Sequence, residues 1–255
     1  MPSDFSEILS PLLLALRLLF FPAGTEELPE IPAIPPGTST VYAYNGFTLQ
    51  FNAERKVADW VAYELTAEEV RTKNAGRSDR FHPDATIPEE TALPGDYRRS
   101  GYDRGHLAPA ADMRFSAEAM YDSFCMTNIA PQTPALNRGP WKDLEEEVRD
   151  WALQEGSLLV VTGPVFTTET ISTIGAGQVA VPDFFYKVLL DYTPPEKKGI
   201  AFLFPNRPEQ NRRGGIFLYA LSIDEIEART SVDFFPWLPE EEASLEAEAD
   251  IFLWQ

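Results

Sequence analysis

The apolar positions of the chain mostly alternate with polar ones or form short continuous runs, and both patterns are typical of strands. Residues 40–52 alternate on either side of Asn45-Gly46, a dipeptide preferred in tight hairpin turns. Further strands are predicted where β-branched and aromatic residues cluster, at residues 57–66, 157–166, 183–192, 199–206 and 215–222. Many strands with few helical segments between them predict an α+β domain.

Two segments carry a helical pattern. Apolar residues recur every three or four positions through residues 137–153, which predicts one helix there. Ser222 is a suitable N-cap for a short helix at 223–230. Residues 67–101 are rich in charge, proline and glycine, and a loop of this length inside a folded domain is usually functional or disordered.

The ends of the chain differ in composition from its centre. Residues 1–24 contain an apolar run at 8–21 that is too short, and interrupted by an arginine, for a stable membrane span. This run is either a signal-like segment, although acidic rather than basic residues precede it, or an amphipathic helix that packs or binds a partner. A proline-rich linker is expected at 25–39, the folded domain at 40–239 and an acidic C-terminal tail at 240–255.

The formal net charge of −19, taken alone, argues against binding to nucleic acid, because proteins that do so neutralise phosphates with Lys and Arg. The charge is unevenly distributed, however. Residues 71–106 contain seven Lys/Arg and six Asp/Glu, whereas residues 239–255 contain six acidic residues and no basic one. An affinity for nucleic acid that is weak and falls steeply with salt is therefore expected.

The sequence leaves little room for zinc or thiol chemistry. The single cysteine, Cys125, excludes an internal disulfide and a cysteine-based zinc site. The two histidines, His82 and His106, are too few for the usual ligand set of a zinc hydrolase. The chain also lacks a G-x-S-x-G nucleophile motif and a P-loop.

His106 is the strongest candidate for a catalytic base. Arg104 precedes it by two positions, so on an extended chain both side chains project toward the same side of the strand. Imidazole, with an ordinary pKa of about 6.5, is suited to removing a proton from water near neutral pH, while a guanidinium can hold a phosphate. An isolated Arg-Gly-His triplet is a weak signal, and the interpretation needs further residues.

Asn137 and Glu145 form a second candidate group, with Asn128 upstream of it. If residues 137–145 are helical, these two side chains lie about 80° apart around the axis and about 12 Å apart along it. They could face one cleft, but a single small ion could not easily bind both directly. This suggests Asn137 as a direct metal ligand and Glu145 as the partner of a metal-bound water. Oxygen ligands with retained waters suit Mg²⁺, or Mn²⁺ as a substitute.

Together these motifs resemble the DNA/RNA non-specific endonucleases, a family that includes secreted bacterial nucleases and mitochondrial endonuclease G. The resemblance covers roughly residues 41–238. It is carried by ordered blocks, namely Asp-Arg-Gly-His at 103–106, Leu-Ala-Pro at 107–109, Asp-Met at 112–113, Thr-Asn-Ile-Ala-Pro-Gln at 127–132, Leu136-Asn137 with Trp141, Leu144 and Glu145, Thr-Gly-Pro-Val-Phe at 162–166, Val181-Pro182, Tyr186-Lys187 and Asp-Phe-Phe-Pro at 233–236.

The resemblance implies a ββα-metal (His-Me finger) nuclease with a central, mostly antiparallel sheet flanked by helices. A short hairpin would present Arg104 and His106, and a following helix would present Asn137 and Glu145. Asn128 would be a polar residue that supports the site.

The resemblance also implies a second phosphate-contacting arginine. Arg80 is expected in this role, with Arg77 as the alternative. Asp103 belongs to the family motif but receives no chemical step.

The implied activity is Mg²⁺-dependent hydrolysis of DNA and RNA to 5′-phosphate ends, with water as the nucleophile. The resemblance further suggests a homodimer and favours a secreted or periplasmic protein, although residues 1–24 make a poor signal peptide. Two other functions stay open at this point: a nucleic-acid binder that keeps the fold without catalysis, and an interaction protein that uses the apolar N-terminal helix.

Overall fold

A seven-stranded antiparallel sheet lies at the centre of the part of the chain that the structure, a computed structural model, describes: residues 40–167, 170–210, 214–239 and 243–255. The apolar N-terminal segment, predicted as a helix or a signal-like segment, and the proline-rich linker lie outside the described residues. Among the helices within those ranges, none combines the length and apolar character needed to cross a bilayer.

The strands and helices follow one another in a mixed order. The strands are β1 Val41–Ala43, β2 Thr48–Asn52, β3 Val57–Thr66, β4 Asp103–His106, β5 Ile129–Gln132, β6 Ser157–Val165, β7 Thr173–Ile174, β8 Val179–Ala180, β9 Phe184–Asp191, β10 Lys198–Pro205 and β11 Ala220–Leu221. The helices are α1 Ala67–Arg71, α2 Ala117–Ser123, α3 Pro134–Asn137, α4 Pro140–Glu155, α5 Ile223–Thr230 and α6 Ser244–Ala247. Short 3₁₀ turns occur at Pro94–Tyr97, Met126–Asn128, Ile216–Tyr219 and Ile251–Trp254.

The central sheet has the strand order β1-β2-β3-β6-β9-β10-β11, and each neighbouring pair is antiparallel. Its middle strands are buried on both faces, which explains their continuous apolar sequences. One face packs against α4, which supplies Trp141 and Val148 to the larger core cluster. The other face packs against α5 and the segment around Phe234. The predicted α+β class, with a mostly antiparallel sheet flanked by helices, is confirmed.

Most of the strands predicted from local sequence patterns are present in the structure. The Asn45-Gly46 turn joins β1 to β2, and Gly46 has a φ of +106°, where a side chain would also meet Met113. Helix α5 begins after Ser222, whose hydroxyl accepts a hydrogen bond from the Glu225 amide at 3.2 Å.

The strand predicted at 215–222 is mostly wrong. Residues 216–219 form a 3₁₀ turn, and only Ala220 and Leu221 pair with β10. The turn places Phe217 6.1 Å from the Trp151 ring, so packing against the core overrides the alternating pattern.

The acidic C-terminal segment is packed against the domain where the structure describes it. Trp254 is buried, with its ring 5.0 Å from that of Trp151. The Lys198 ammonium donates to the Leu253 carbonyl at 2.7 Å. Residues 243–255 therefore contribute to the core despite their acidic composition.

Candidate active site

A two-stranded hairpin, separate from the central sheet, carries the Arg-Gly-His motif. Strand β4 pairs antiparallel with β5, so that Arg104 lies opposite Pro131 and His106 opposite Ile129. Between them, Gly105 packs directly on the side-chain amide of Gln132, where a Cβ would clash. The motif therefore needs glycine at its centre. Strand alternation directs Arg104 and His106 to the same face of the hairpin.

His106 is a buried imidazole in an aromatic setting. Only 8% of the residue is exposed, and its ring lies 4.9 Å from Phe124 and 5.5 Å from Phe81. Burial, and then the nearby Arg77 guanidinium, lower its pKa to about 3. The ring is therefore neutral at pH 7. Its Nε2 atom is buried without a hydrogen-bond partner among the described residues, and such an atom needs a ligand or water.

Arg104 is anchored beside His106. Its Nη2 donates to the Pro94 carbonyl at 2.7 Å, and its guanidinium lies 5.0 Å from the centre of the Phe81 ring. Its buried Nε has no partner within the described part of the chain. The same phenyl ring thus packs on both side chains of the motif.

The two candidates for a second arginine differ in position. Arg77 acts electrostatically on His106, and its guanidinium lies 5.3 Å from the centre of the Phe124 ring that packs on the imidazole. Both arginines are exposed, and Arg77 also pairs with Asp79 at 2.7 Å. Among the described residues, Arg80 makes only one hydrogen bond, from its backbone amide to Ser78. The geometry therefore favours Arg77, the alternative in the sequence analysis.

Asn137 is attached to the base of the hairpin. Its Nδ2 donates to Asp103 Oδ2 at 3.0 Å, and Arg138 donates to both oxygens of the same carboxylate at 2.6 and 2.7 Å. Burial alone would raise the pKa of Asp103, but the hydrogen bonds from Arg138 and Asn137 hold it below its usual value. The ionised carboxylate can only accept hydrogen bonds, so the amide must turn its oxygen away from it.

The single helix predicted at 137–153 is wrong at its start. Asn137 ends the four-residue helix α3, and α4 begins at Pro140. Gly139 between them has φ −119° and ψ −124°, outside the helical region, and Pro140 occupies the first helical position, where its missing N–H does no harm. The angle and spacing derived for Asn137 and Glu145 on one helix therefore do not apply.

Glu145 lies on the second turn of α4 in a cluster of buried charges. Burial raises its pKa, and the ammonium of Lys187 opposes that rise. Lys187 is fully buried in the middle of β9, where its Nζ donates to Thr162 Oγ1 at 2.6 Å. Burial lowers the pKa of Lys187, and Glu145 acts in the opposite direction. From the sequence, Lys187 is identified only as part of the Tyr186-Lys187 family block.

A second buried group adjoins this pair and was not recognised from the sequence. Arg149 Nη1 lies 2.9 Å from Asp112 Oδ1, and the Tyr63 hydroxyl donates to Asp112 Oδ2 at 2.8 Å. Asp112 and Arg149 both act on Glu145 electrostatically. One signal in the sequence could have revealed these groups. A charged residue stands where the core of a sheet normally has an apolar one, as Lys187 does within an apolar strand.

Asn128 supports the hairpin through the backbone. Its Oδ1 accepts from the Ala108 amide at 2.8 Å, and its Nδ2 donates to the carbonyls of Ala108 and Ser123, both at 2.9 Å. The residue is fully buried. All of these bonds are internal, so Asn128 fixes the chain that follows His106 and does not itself reach a substrate.

Asn137 and Glu145 each offer an oxygen donor of the kind that a hard divalent cation prefers. Asn137 Oδ1 makes no hydrogen bond to any described residue and offers a neutral oxygen, while Glu145 supplies a carboxylate. Such a set of few oxygen donors fits Mg²⁺ or Mn²⁺ with retained waters. The one cluster of three potential ligands within the described chain, Glu227, Asp233 and Glu246, includes none of these residues.

Comparison with known proteins gives a consistent result. A family model described as DNA/RNA non-specific endonuclease matches residues 30–241. The chain is 34% identical over 218 residues to a nuclease of Nostoc sp., covering 81% of this chain and 77% of that protein. It is 32% identical over 249 residues to mitochondrial endonuclease G of Bos taurus, covering 88% and 83%.

A solved structure gives the same assignment for the fold. The crystal structure of EndoG in complex with EndoGI superposes with a TM-score of 0.75 at 30% sequence identity, covering 81% of this chain and 89% of that one. The chain belongs to the DNA/RNA non-specific endonuclease family.

Proposed function

We propose that this nuclease is a Mg²⁺-dependent endonuclease that cuts DNA and RNA without strong sequence preference and leaves 5′-phosphate ends. His106 is its general base. The observation that carries the proposal is the buried, neutral His106, whose Nε2 lacks a partner among the described residues and which shares one face of β4 with Arg104.

In the proposed reaction, neutral His106 accepts a proton from water at Nε2. The water oxygen forms a bond to phosphorus, and the bond from phosphorus to the 3′-oxygen breaks in line with it. The phosphate remains on the 5′-oxygen of the downstream nucleotide. The leaving 3′-oxygen takes up a proton from solvent water, and the protonated His106 returns its proton to solvent. Because the nucleophile is water and not a ribose 2′-hydroxyl, the reaction applies to DNA and RNA alike.

With a pKa of about 3, His106 is a weak base before a substrate binds. A substrate phosphate adds negative charge beside the imidazole, and a nearby opposite charge stabilises the protonated form. Binding of the phosphate therefore strengthens the base when the proton has to move. Arg104 and Arg77 donate hydrogen bonds to the phosphoryl oxygens and hold the phosphate beside the imidazole.

Asn137 through Oδ1, and Glu145 through a retained water, would hold Mg²⁺, with Mn²⁺ as a substitute. When bound, the ion neutralises charge that develops on the phosphate and on the leaving oxygen. Asp103 fixes the Asn137 amide with its oxygen exposed to the cation. The buried ammonium of Lys187 opposes the burial-driven rise in the pKa of Glu145.

The proposal is tested by incubating supercoiled plasmid and a structured RNA with the protein in Mg²⁺, in EDTA, and in EDTA followed by excess Mg²⁺. We expect nicking and RNA cleavage in Mg²⁺, none in EDTA, and prompt recovery because few protein atoms hold the ion. The products should be substrates for 5′-dephosphorylation. Activity that persists in His106→Ala, or in EDTA, would contradict the proposal, and an inert wild-type protein would indicate a nucleic-acid binder.

A further inference from the structure

A cleft of about 450 Å³ opens beside the catalytic hairpin. Its lining includes two aromatic rings, several hydroxyl groups, one exposed guanidinium and one carboxylate, from Tyr102, Phe184, Thr167, Thr170, Ser172, Arg207 and Asp183. Its volume lies within the range of sites that bind small ligands, about 300–1,000 Å³. None of the steps proposed above uses these residues.

The cleft is held rigidly against the hairpin by Asn206. Its Nδ2 donates to the carbonyls of Pro131 and Pro182, both at 2.9 Å, and its Oδ1 accepts from the Thr133 amide at 2.8 Å. Pro131 lies opposite Arg104 in the hairpin. The wall of the cleft is therefore fixed relative to the residues proposed to bind the phosphate.

Tyr102 joins the cleft to the reaction site. It is half-buried, immediately precedes Asp103 and stands two positions before Arg104. On an extended chain, two positions correspond to about 6–7 Å between Cα atoms, so the backbone at Tyr102 lies one such spacing from that at Arg104 and two from that at His106. A strand that places one phosphate at Arg104 would continue across Tyr102.

The chemistry of the lining suits a single strand of nucleic acid. An aromatic ring stacks on any base, and an exposed arginine binds any backbone phosphate, so the pair recognises a strand without reading its sequence. Among the described residues of the lining, Asp183 is the only acidic one, and it accepts hydrogen bonds from the amide and hydroxyl of Thr167 at 2.7 and 2.9 Å. These bonds reduce its repulsion of a phosphate, which binds at Arg207.

A second, larger cleft of about 830 Å³ is a poorer match to a polyanion. Its lining includes Glu54, Asp59 and Glu89, and its Arg55 already lies 3.6 Å from Asp59. Arg229 is its other guanidinium. Unlike the smaller cleft, which Tyr102 lines directly before β4, it has no lining residue next to the catalytic hairpin in the sequence.

We propose that the smaller cleft is a subsite for the substrate strand beyond the cut bond, in which a base stacks on Tyr102 and a backbone phosphate pairs with Arg207. The inference rests on the proposed nuclease function. The subsite holds long substrates on the enzyme and takes no part in the chemistry. Its removal should therefore raise KM for an oligonucleotide and have little effect on the rate at which the hairpin residues break the bond.

The test compares a long substrate, which can extend into the cleft, with a short one, which cannot. One is a labelled single-stranded oligonucleotide of twenty residues, and the other is a nucleoside 5′-aryl phosphodiester, which has no neighbouring nucleotide. For Tyr102→Ala and for Arg207→Gln, the ratio of kcat/KM for the oligonucleotide to that for the small diester should fall about tenfold, mainly through KM. Tyr102→Phe should restore the ratio, because it keeps the stacking surface.

Two matched variants serve as controls. Tyr192 lies just beyond the end of β9 remote from the cleft, and Arg229 lies in the larger cleft. Tyr192→Ala and Arg229→Gln should not change the ratio. An unchanged ratio in both cleft variants would overturn the inference, as would an equal loss on both substrates, since that would show that Tyr102 acts only through hairpin geometry.

Failure of the subsite and failure of the nuclease function are distinguishable. Oligonucleotide binding measured by fluorescence anisotropy in EDTA does not need turnover, so it reports on the cleft even if the wild-type protein is inert. Weaker binding in Arg207→Gln, an exposed position where folding is not at risk, supports the subsite. Identical binding to that of wild type rejects it.

Discussion

The Asn137 side-chain amide donates to the Asp103 carboxylate at 3.0 Å, and this bond decides which atom of Asn137 is available to a cation. A carboxylate cannot donate, so it must face the NH₂ group and leave Oδ1 exposed. Asp103 is in turn kept ionised by Arg138, despite its partial burial. Asp103 is therefore a positioning residue for the proposed metal ligand, a role that sequence analysis did not assign.

Replacing Asp103 by Ala should weaken Mg²⁺ binding about 10- to 100-fold, the usual cost of losing a residue that orients a metal ligand. The affinity is measured by Mn²⁺ binding, followed by electron paramagnetic resonance, and by Mg²⁺ titration of activity. Arg138→Gln is the matched control, since it removes the ion pair with Asp103 but keeps the hydrogen bond that Asn137 donates to Asp103. Equal losses in both variants would show that the ion pair with Arg138, and not the hydrogen bond from Asn137, maintains the metal site.

Arg77→Ala should reduce kcat/KM about a hundredfold, the effect of losing one donor to a developing phosphoryl charge. Arg80→Ala, in the same loop and with the same loss of charge, should change it less than threefold, because Arg80, unlike Arg77, has no electrostatic effect on His106 and no contact with the Phe124 ring. The comparison uses plasmid nicking rates at fixed ionic strength. A larger loss in Arg80→Ala would reinstate the first expectation from the sequence.

The sequence identified those parts of the fold that depend on local chemistry. The Asn45-Gly46 turn, the strand at 57–66 and the Ser222 cap each rest on a few adjacent residues, and each was predicted correctly. The break between α3 and α4 was also present locally, in Gly139-Pro140, but the apolar spacing hid it.

The site was predictable to the extent that it is a set of motif residues. The contacts that tune it come from distant positions: Phe81 packs on His106, and Lys187 opposes the effect of burial on Glu145. A buried lysine within an apolar strand shows that a partner must exist but not which one. Which distant residues contact each other in this way depends on the tertiary structure, so these contacts cannot be predicted from the sequence alone.

Asn128→Ala should lower stability as well as activity. It removes three hydrogen bonds and leaves two carbonyls and one amide of the buried backbone unsatisfied. We expect a loss of about 3 kcal/mol in the free energy of unfolding, which corresponds to roughly 6–12 °C in Tm for a domain of this size. Asn137→Ala is the comparison, because its half-exposed side chain makes one such bond and should shift Tm by only about 2 °C. Thermal unfolding followed by circular dichroism separates the two, and equal shifts would contradict the distinction.

His106 should make the stability of the protein depend on pH below neutrality. The folded protein holds this imidazole neutral down to a pKa of about 3, whereas the unfolded chain binds a proton at about 6.5. Between these values the unfolded state carries the extra proton, so the contribution of His106 to stability is complete above pH 6.5 and is lost as the pH falls toward 3.

The measurement compares wild type with His106→Asn, which cannot titrate in this range, by urea unfolding at pH 7.5, 6.0 and 5.0. Between pH 7.5 and 5.0 the wild type should lose about 2 kcal/mol more than the variant. Carboxylates titrate in both proteins, so their effect cancels in the difference. Parallel curves would mean that the folded protein protonates His106 as readily as the unfolded chain does. A general base held neutral by burial against Phe81 and Phe124 would then be ruled out.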